Sequence, residues 1–444
     1  MKDMFFLLNI SVSGIKCIKE EVRLDFYKKT VNRNFDPERY RVKAIYGENG
    51  SGKSALVTAV KIFQDLIWND NYLSESKTQE FLNEIVNKAL NVFCFQMEFL
   101  VDVDNQKVVY QYMLQIGRGK TGLFEIQNES LKWKNGNYAN NKYQSVFESQ
   151  GGELLSVLST EQEEDGIRNK MINLLSTHSF IYLYIMNVDE DTFPKENEDN
   201  ELLLSVFACL LLTLCLKVYL EEGDQHELYF LQKRLRENKL EKQAFADEFF
   251  GQGNHFNLTL DVNEKFVEKK NIDEYKARVE QLTQFIKLFK PDLISIDIDA
   301  KDDGERYVCD LNLNYGDYVI NKEFESTGIK KLIRLFDCFT AASNGGIVFV
   351  DEMDSNLNDV YLCKLIEYFM YYGKGQLCFT THNIDPMSVL KENKNSIDFL
   401  SSDNHLIPWT SRGNATPENC YKNGMIEDLP FNIEASDFVG IFGE

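Results

Sequence analysis

The spacing of hydrophobic positions changes repeatedly along this chain. Val42 to Tyr46 is a short apolar run that suits a buried strand, and Ala55, Leu56, Ala59, Val60, Phe63 and Ile67 then recur at helical spacing. Three alternating runs follow, starting at Val92, Val108 and Gly122 and separated by Asp-Asn and Gly-Arg-Gly turns. They predict antiparallel strands. From about Glu201 to Lys290 the pattern reads as helical, with charged segments at His226 to Phe249 and Val262 to Phe289 and a break at Gly251 to Asn254. Pro291 to Asp299 alternates as a strand. Leu332, Leu335, Phe336 and Phe339 mark one face of a helix, and Gly346 to Val350 and Gln376 to Thr380 read as buried strands.

Composition narrows the class. The chain has 444 residues, 43% hydrophobic and 27% charged, enough for a sizeable core without disulfides or a structural metal. Its formal charge of −22 argues against nonspecific coating of nucleic acid, which needs many Lys and Arg contacts to phosphates. Nine Cys without a Cys-x-x-Cys pair read as free thiols of a reducing compartment. The most lipid-like stretch, Leu202 to Leu216, is 15 residues long, short of the roughly 17–25 a spanning helix needs. It reads as a buried helix. The N-terminal run lacks a signal-peptide pattern, so a cytoplasmic location is expected.

Three segments carry chemistry. Gly47, Glu48, Asn49, Gly50, Ser51, Gly52, Lys53 and Ser54 form G-x-x-x-x-G-K-S between the predicted strand and the helix opening at Ala55. This is the Walker A pattern, in which glycines let backbone N–H groups curl around phosphates, the lysine reaches the β- and γ-phosphates and the serine binds Mg²⁺. Asp351 and Glu352 end a strand of four consecutive apolar residues, where Asp351 suits Mg²⁺ and Glu352 suits a general base for the attacking water. Thr381, His382 and Asn383 end a further strand, and His382 suits a contact to the γ-phosphate. The expected cofactors are ATP and Mg²⁺, with Glu352, His382 and Lys53 as catalytic residues.

Jointly these motifs resemble the ABC-type ATPase heads of the SMC/RecF/OLD group. Those heads carry a signature opening a helix between the two Walker motifs. Here Glu325, Ser326, Thr327 and Gly328 occupy that place, with Ser326 and Gly328 matching and Thr327 replacing a glycine. The variant looks like that of compact OLD-like ATPases. Simple N-capping by Ser326 is the alternative and needs no nucleotide. Met353 to Asn358 resembles the D-loop. Leu8 to Ile18 loosely resembles the opening strand pair, and Gln96 is a candidate Mg²⁺-contacting glutamine. The resemblance implies an α/β P-loop NTPase of ABC-ATPase type with an antiparallel β-lobe and a short helical insertion. It divides the chain into 1–190 (first half of the head), 191–290 (insertion) and 291–444 (second half). It also implies a head-to-head homodimer or higher oligomer around ATP, with Ser326, Thr327 and Gly328 acting across the interface.

The helical segments of the insertion, each at most about 30 residues or about 45 Å long, are too short for a DNA-spanning tether, and the Asp297-x-Asp299 pair reads as a strand edge rather than part of a Toprim nuclease. Compact heads of this type resemble ATPase subunits of bacterial anti-phage systems such as abortive-infection, PARIS and Septu operons. That implies a switch or scaffold controlling a separate effector protein, a nuclease or toxin, in response to a phage-derived trigger. The alternative is a RecF-like repair ATPase acting directly on DNA. A third reading is a module that uses ATP only to dimerise.

Overall fold

The computed structural model describes residues 4–103, 105–159, 161–187, 200–220, 261–263, 266–393, 395–410 and 415–426. They form a mixed α/β structure with three sheets. The central sheet runs, edge to edge, Leu406–Pro408, Ile397–Leu400, Val42–Gly47, Gln376–Thr380, Ile347–Val350 and Leu216–Tyr219. All its neighbours pair in parallel except the first two. Every residue of Ile347–Val350, Gln376–Thr380 and Ile397–Leu400 is buried. Strands covered on both faces need apolar side chains in both directions, which is why they read as unbroken runs rather than alternations.

The helix Lys53–Trp68 is buried except at Ser54 and Lys61. One side packs on a second, seven-stranded antiparallel sheet built from Met4–Ser13, Val22–Asp25 and the five strands between Val92 and Val157. Phe63 stacks on Phe95 at 5.3 Å and meets Tyr112 at 4.9 Å. A buried side chain joins the two sheets. Gln376 accepts from Leu7 N–H at 2.6 Å and donates to Leu7 C=O at 3.0 Å.

The apolar segment beginning at Leu202 is a helix, Glu201–Cys215, buried along most of its length. It is tied to the Lys53–Trp68 helix by Gln64, which donates to Thr213 C=O and Leu216 C=O, both at 3.0 Å, and by Trp68, which donates to Thr213 Oγ1 at 2.6 Å. Among the described residues no helix is long and apolar enough to cross a membrane.

The helical reading of 201–290 needs correction. Leu216–Tyr219 is a strand paired with Ile347–Val350, and Phe266–Glu268 is a strand of a third sheet with Arg306–Asn314, Ser295–Asp303 and Val319–Asn321. A four-residue strand that continues an apolar helix has no periodicity of its own to reveal it. The later helix is confined to Ile272–Lys287. Its Tyr275, Val279 and Leu282 share one core with Leu311 and Leu313 of the third sheet and with Leu332 and Ile333. The 190/191 division lies outside the described residues. The segments His226 to Phe249 and Gly251 to Asn254 lie outside the described residues, as do residues 427–444.

Lys43 and Asp398 form an ion pair at 2.7 Å between neighbouring central strands, with side chains 1% and 2% exposed. Removing one partner strands a buried charge. Lys43→Met should therefore lower the unfolding free energy by about 3–5 kcal/mol in urea titration, and a loss under about 1 kcal/mol would show that the pair is not electrostatically isolated from water.

Candidate functional site

The carboxyl ends of the parallel strands converge on the segment 47–54. A ligand of an open α/β sheet sits beyond such ends. Gly50 has φ +83° and Gly52 φ +105°, so the chain turns twice through the left-handed region before the helix begins at Lys53. A Cβ on Gly52 would lie 2.8 Å from Ile18 Cγ1, so both conformation and space require glycine there. The helix opens with Ala55 N–H and Leu56 N–H both donating to Gly52 C=O, at 3.0 and 3.3 Å, and the N–H groups that begin a helix ahead of its first intrahelical bonds are free to meet an anion. Ala55 is buried behind the loop. Cys17 Sγ donates to Gly50 C=O at 3.1 Å, and Asn404 Nδ2 donates to Ser51 C=O at 3.3 Å. Ser51 Oγ is buried with no hydrogen-bond partner among the described residues.

Lys53 is 6% exposed, and its ammonium donates to Gly47 C=O at 2.9 Å and Glu48 C=O at 2.8 Å. Burial pulls its pKa down to about 8, against the opposing fields of Asp351, Glu352, Asp354 and Glu48. The lysine and the acids of the 347–352 segment thus form one electrostatic cluster. His382 belongs to it. Its pKa is lowered by burial and by Lys53, and supported by Asp354, Glu352 and Asp351.

Thr380, at the end of its strand, organises the acids. Its hydroxyl donates to Asp351 Oδ1 at 2.6 Å and accepts from Glu352 N–H at 2.8 Å. Asp354 Oδ2 accepts from the backbone N–H groups of His382 at 3.4 Å and Asn383 at 3.2 Å, which fixes the histidine turn against the acids. Glu352 has φ +47°, a left-handed conformation uncommon for a residue with a Cβ.

The helix Thr327–Ser343 begins with Ser326 as N-cap, its side chain accepting from Ile329 N–H at 3.4 Å. This is the capping arrangement expected from sequence as the alternative role of Ser326. Ser326 and Thr327 are exposed. Gly328 sits against the 353–358 turn, where a Cβ would lie 2.6 Å from Asn356 C=O. The glycine is therefore needed for close backbone approach within one chain, whatever else it contacts. Lys331, 3% exposed, donates to Glu352 C=O at 2.5 Å and to Ser355 Oγ.

The structure thus brings together residues 47–54, Asp351, Glu352 and His382. Ser326–Gly328 join them through the 352–356 backbone rather than through the 47–54 loop. Gln96 lies in the seven-stranded sheet opposite Ser11 and Met113, and Asp297 and Asp299 are exposed on a strand. Thr380, Lys331 and Asn404 carry no motif. The nearest sequence signal is the threonine that ends the buried strand at 376–380.

No protein-family model and no curated protein matches the chain. Among solved structures it is similar to an SMC head bound to the C-winged helix domain of ScpA, at 15% identity, covering 91% of this chain and 97% of that one, with TM-score 0.45. It is also similar to the recombination mediator protein RecF-ATPrS in the RecFOR pathway, at 14% identity, covering 92% and 99%, with TM-score 0.34. Neither likeness is close enough to carry functional weight.

Between about pH 8 and 10.5 the unfolded chain binds more protons at Lys53 than the folded chain does, so this residue's contribution to stability rises with pH across that window. The difference in Tm between Lys53→Met and the unaltered protein, Met variant minus unaltered, should therefore fall as pH is raised from about 7 to about 10. A difference that grows with pH would contradict the burial-driven shift.

Proposed function

We propose that the protein is an Mg-ATP-hydrolysing switch of the SMC/RecF/OLD-like kind that closes head to head as a dimer. The observation that carries this reading is the geometry at the carboxyl ends of the central strands, where the 47–54 loop holds Lys53, Thr380 holds Asp351 and Glu352, and Asp354 holds the turn of His382.

The residues fit ATP and Mg²⁺. The buried Ser51 hydroxyl, without a protein partner among the described residues, leaves a donor for a phosphate oxygen. The desolvated Lys53 gains from an anion. Mg²⁺ needs few protein ligands when phosphates and water supply the rest, and the Ser54 hydroxyl and Asp351 carboxylate are oxygen donors of the right kind. Among the described residues no cluster of three or more His, Cys, Asp or Glu forms a metal cage, and this mode of binding does not require one.

In this reading the N–H groups of 47–54 and Lys53 hold the phosphates. Asp351, oriented by Thr380, would hold the metal, which when bound would supply positive charge to offset that developing on the transferring phosphoryl group. Glu352 takes a proton from the attacking water as the γ-phosphoryl group passes from the ADP oxygen to the water oxygen. His382 orients toward the γ-phosphate. Ser326, Thr327 and Gly328 present an exposed helix start to the nucleotide of the partner copy.

The output is proposed to be control of a separate effector in anti-phage defence. This part is supported by the resemblance of the motifs to compact defence ATPases and by the charge of −22, which disfavours a DNA-coating role.

Lys53→Ala should abolish ATP turnover, and Glu352→Gln should slow it by about 10²-fold or more while leaving nucleotide binding intact. Sedimentation of the Glu352→Gln protein with saturating Mg-ATP should give a dimer, and a monomer would contradict head-to-head closure. A pull-down of that variant from its native cells should recover one protein at fixed stoichiometry. Salt-sensitive DNA recovered without such a protein would instead support direct action on DNA.

A further inference from the structure

Glu352 occupies a left-handed conformation, φ +47°, that a residue with a Cβ adopts only when its surroundings impose it. Both ends of the residue are held. Its N–H donates to Thr380 Oγ1 at 2.8 Å, and its C=O accepts from the Lys331 ammonium at 2.5 Å. Lys331 is 3% exposed and also donates to Ser355 Oγ, while Ser355 N–H returns to Glu352 C=O at 3.0 Å. The ammonium thus closes a small ring around the 352–355 turn. It belongs to the helix Thr327–Ser343, one turn after Ser326–Gly328. The start of that helix rests on the same turn, since Gly328 abuts Asn356 C=O.

We infer that Lys331 is a positioning residue. It holds the Glu352 backbone in its left-handed conformation and makes the exposed helix start at Ser326–Gly328 and the acid at Glu352 parts of one rigid unit. Its catalytic consequence rests on the ATPase reading above. A nucleotide held by a partner copy against Ser326–Gly328 then biases the geometry of Glu352 in the chain that presents them. Occupancy of one site of a dimer then bears on the other through Lys331 and the Gly328–Asn356 contact.

The test is Lys331→Met in the full chain, which keeps the aliphatic stem and removes the ammonium. The first readout needs no nucleotide. Hydrogen exchange in the backbone of 351–357 should become faster while exchange in Ile347–Val350 stays unchanged, and unchanged exchange in 351–357 overturns the inference. The second is steady-state ATP turnover. The kcat should fall by about 10²-fold, as for a small misplacement of a reacting group, with KM and nucleotide affinity held within about threefold. A fall in affinity with kcat preserved would overturn the positioning role. Faster exchange with unchanged kcat would overturn its catalytic consequence. Absence of turnover in the unaltered protein would remove the ATPase reading while the exchange result still decides the role of Lys331. Should Lys331→Met not fold, Lys331→Gln, whose amide stops short of Glu352 C=O, is read by the same two measures.

Discussion

A lysine ammonium buried beneath a glycine-bearing turn and held by two carbonyl oxygens is the constraint on which the site depends. Lys53 has given up water for Gly47 C=O and Glu48 C=O, and desolvation takes its pKa to about 8. Such a group is costly to keep charged unless an anion completes its surroundings. The architecture around it follows. The strand Val42–Gly47 must end beneath the loop, Gly52 must turn left-handed against Ile18, and the acids that follow Ile347–Val350, one strand removed, must lie near enough to sustain the charge without neutralising it by direct pairing.

The acids are controlled as closely as the lysine. One hydroxyl, that of Thr380, orients Asp351 and holds the N–H of Glu352, and Asp354 fixes the turn that carries His382. Three strands distant in sequence therefore deliver lysine, acids and histidine to one place by parallel pairing alone. The fold supplies rigidity to these contacts through buried polar ties such as Gln376 with Leu7 and Lys43 with Asp398. Contacts of this kind favour one strand register over its neighbours, because a slipped register leaves their polar groups unpaired in the core.

Much of this was legible in the sequence where chemistry and periodicity are local. The 47–54 spacing, the apolar strand ending in Asp351 and Glu352, the strand Gln376–Thr380 and the helix after Ser326 all carry their signal within a few residues. What was not legible depends on distant partners. Leu216–Tyr219 is a strand because Ile347–Val350 offers it an edge, and nothing in its own four residues separates it from the helix before it. Asn404 meets Ser51 from 353 residues away, and Lys331 meets Glu352 only because the helix Thr327–Ser343 packs on the 352–355 turn. The motif places Gly328 among residues expected to face a partner, yet its first requirement is the carbonyl of Asn356 in its own chain.

The central claim is that residues 47–54, Asp351, Glu352 and His382 form one hydrolytic site. Phosphate release by the purified full chain, titrated with ATP in the presence and absence of Mg²⁺, tests it most directly. The account predicts saturable release that requires Mg²⁺ and rises more than in proportion to protein concentration while the dimer is forming. Binding of ATP without release at any protein concentration, or no binding at all, would contradict it.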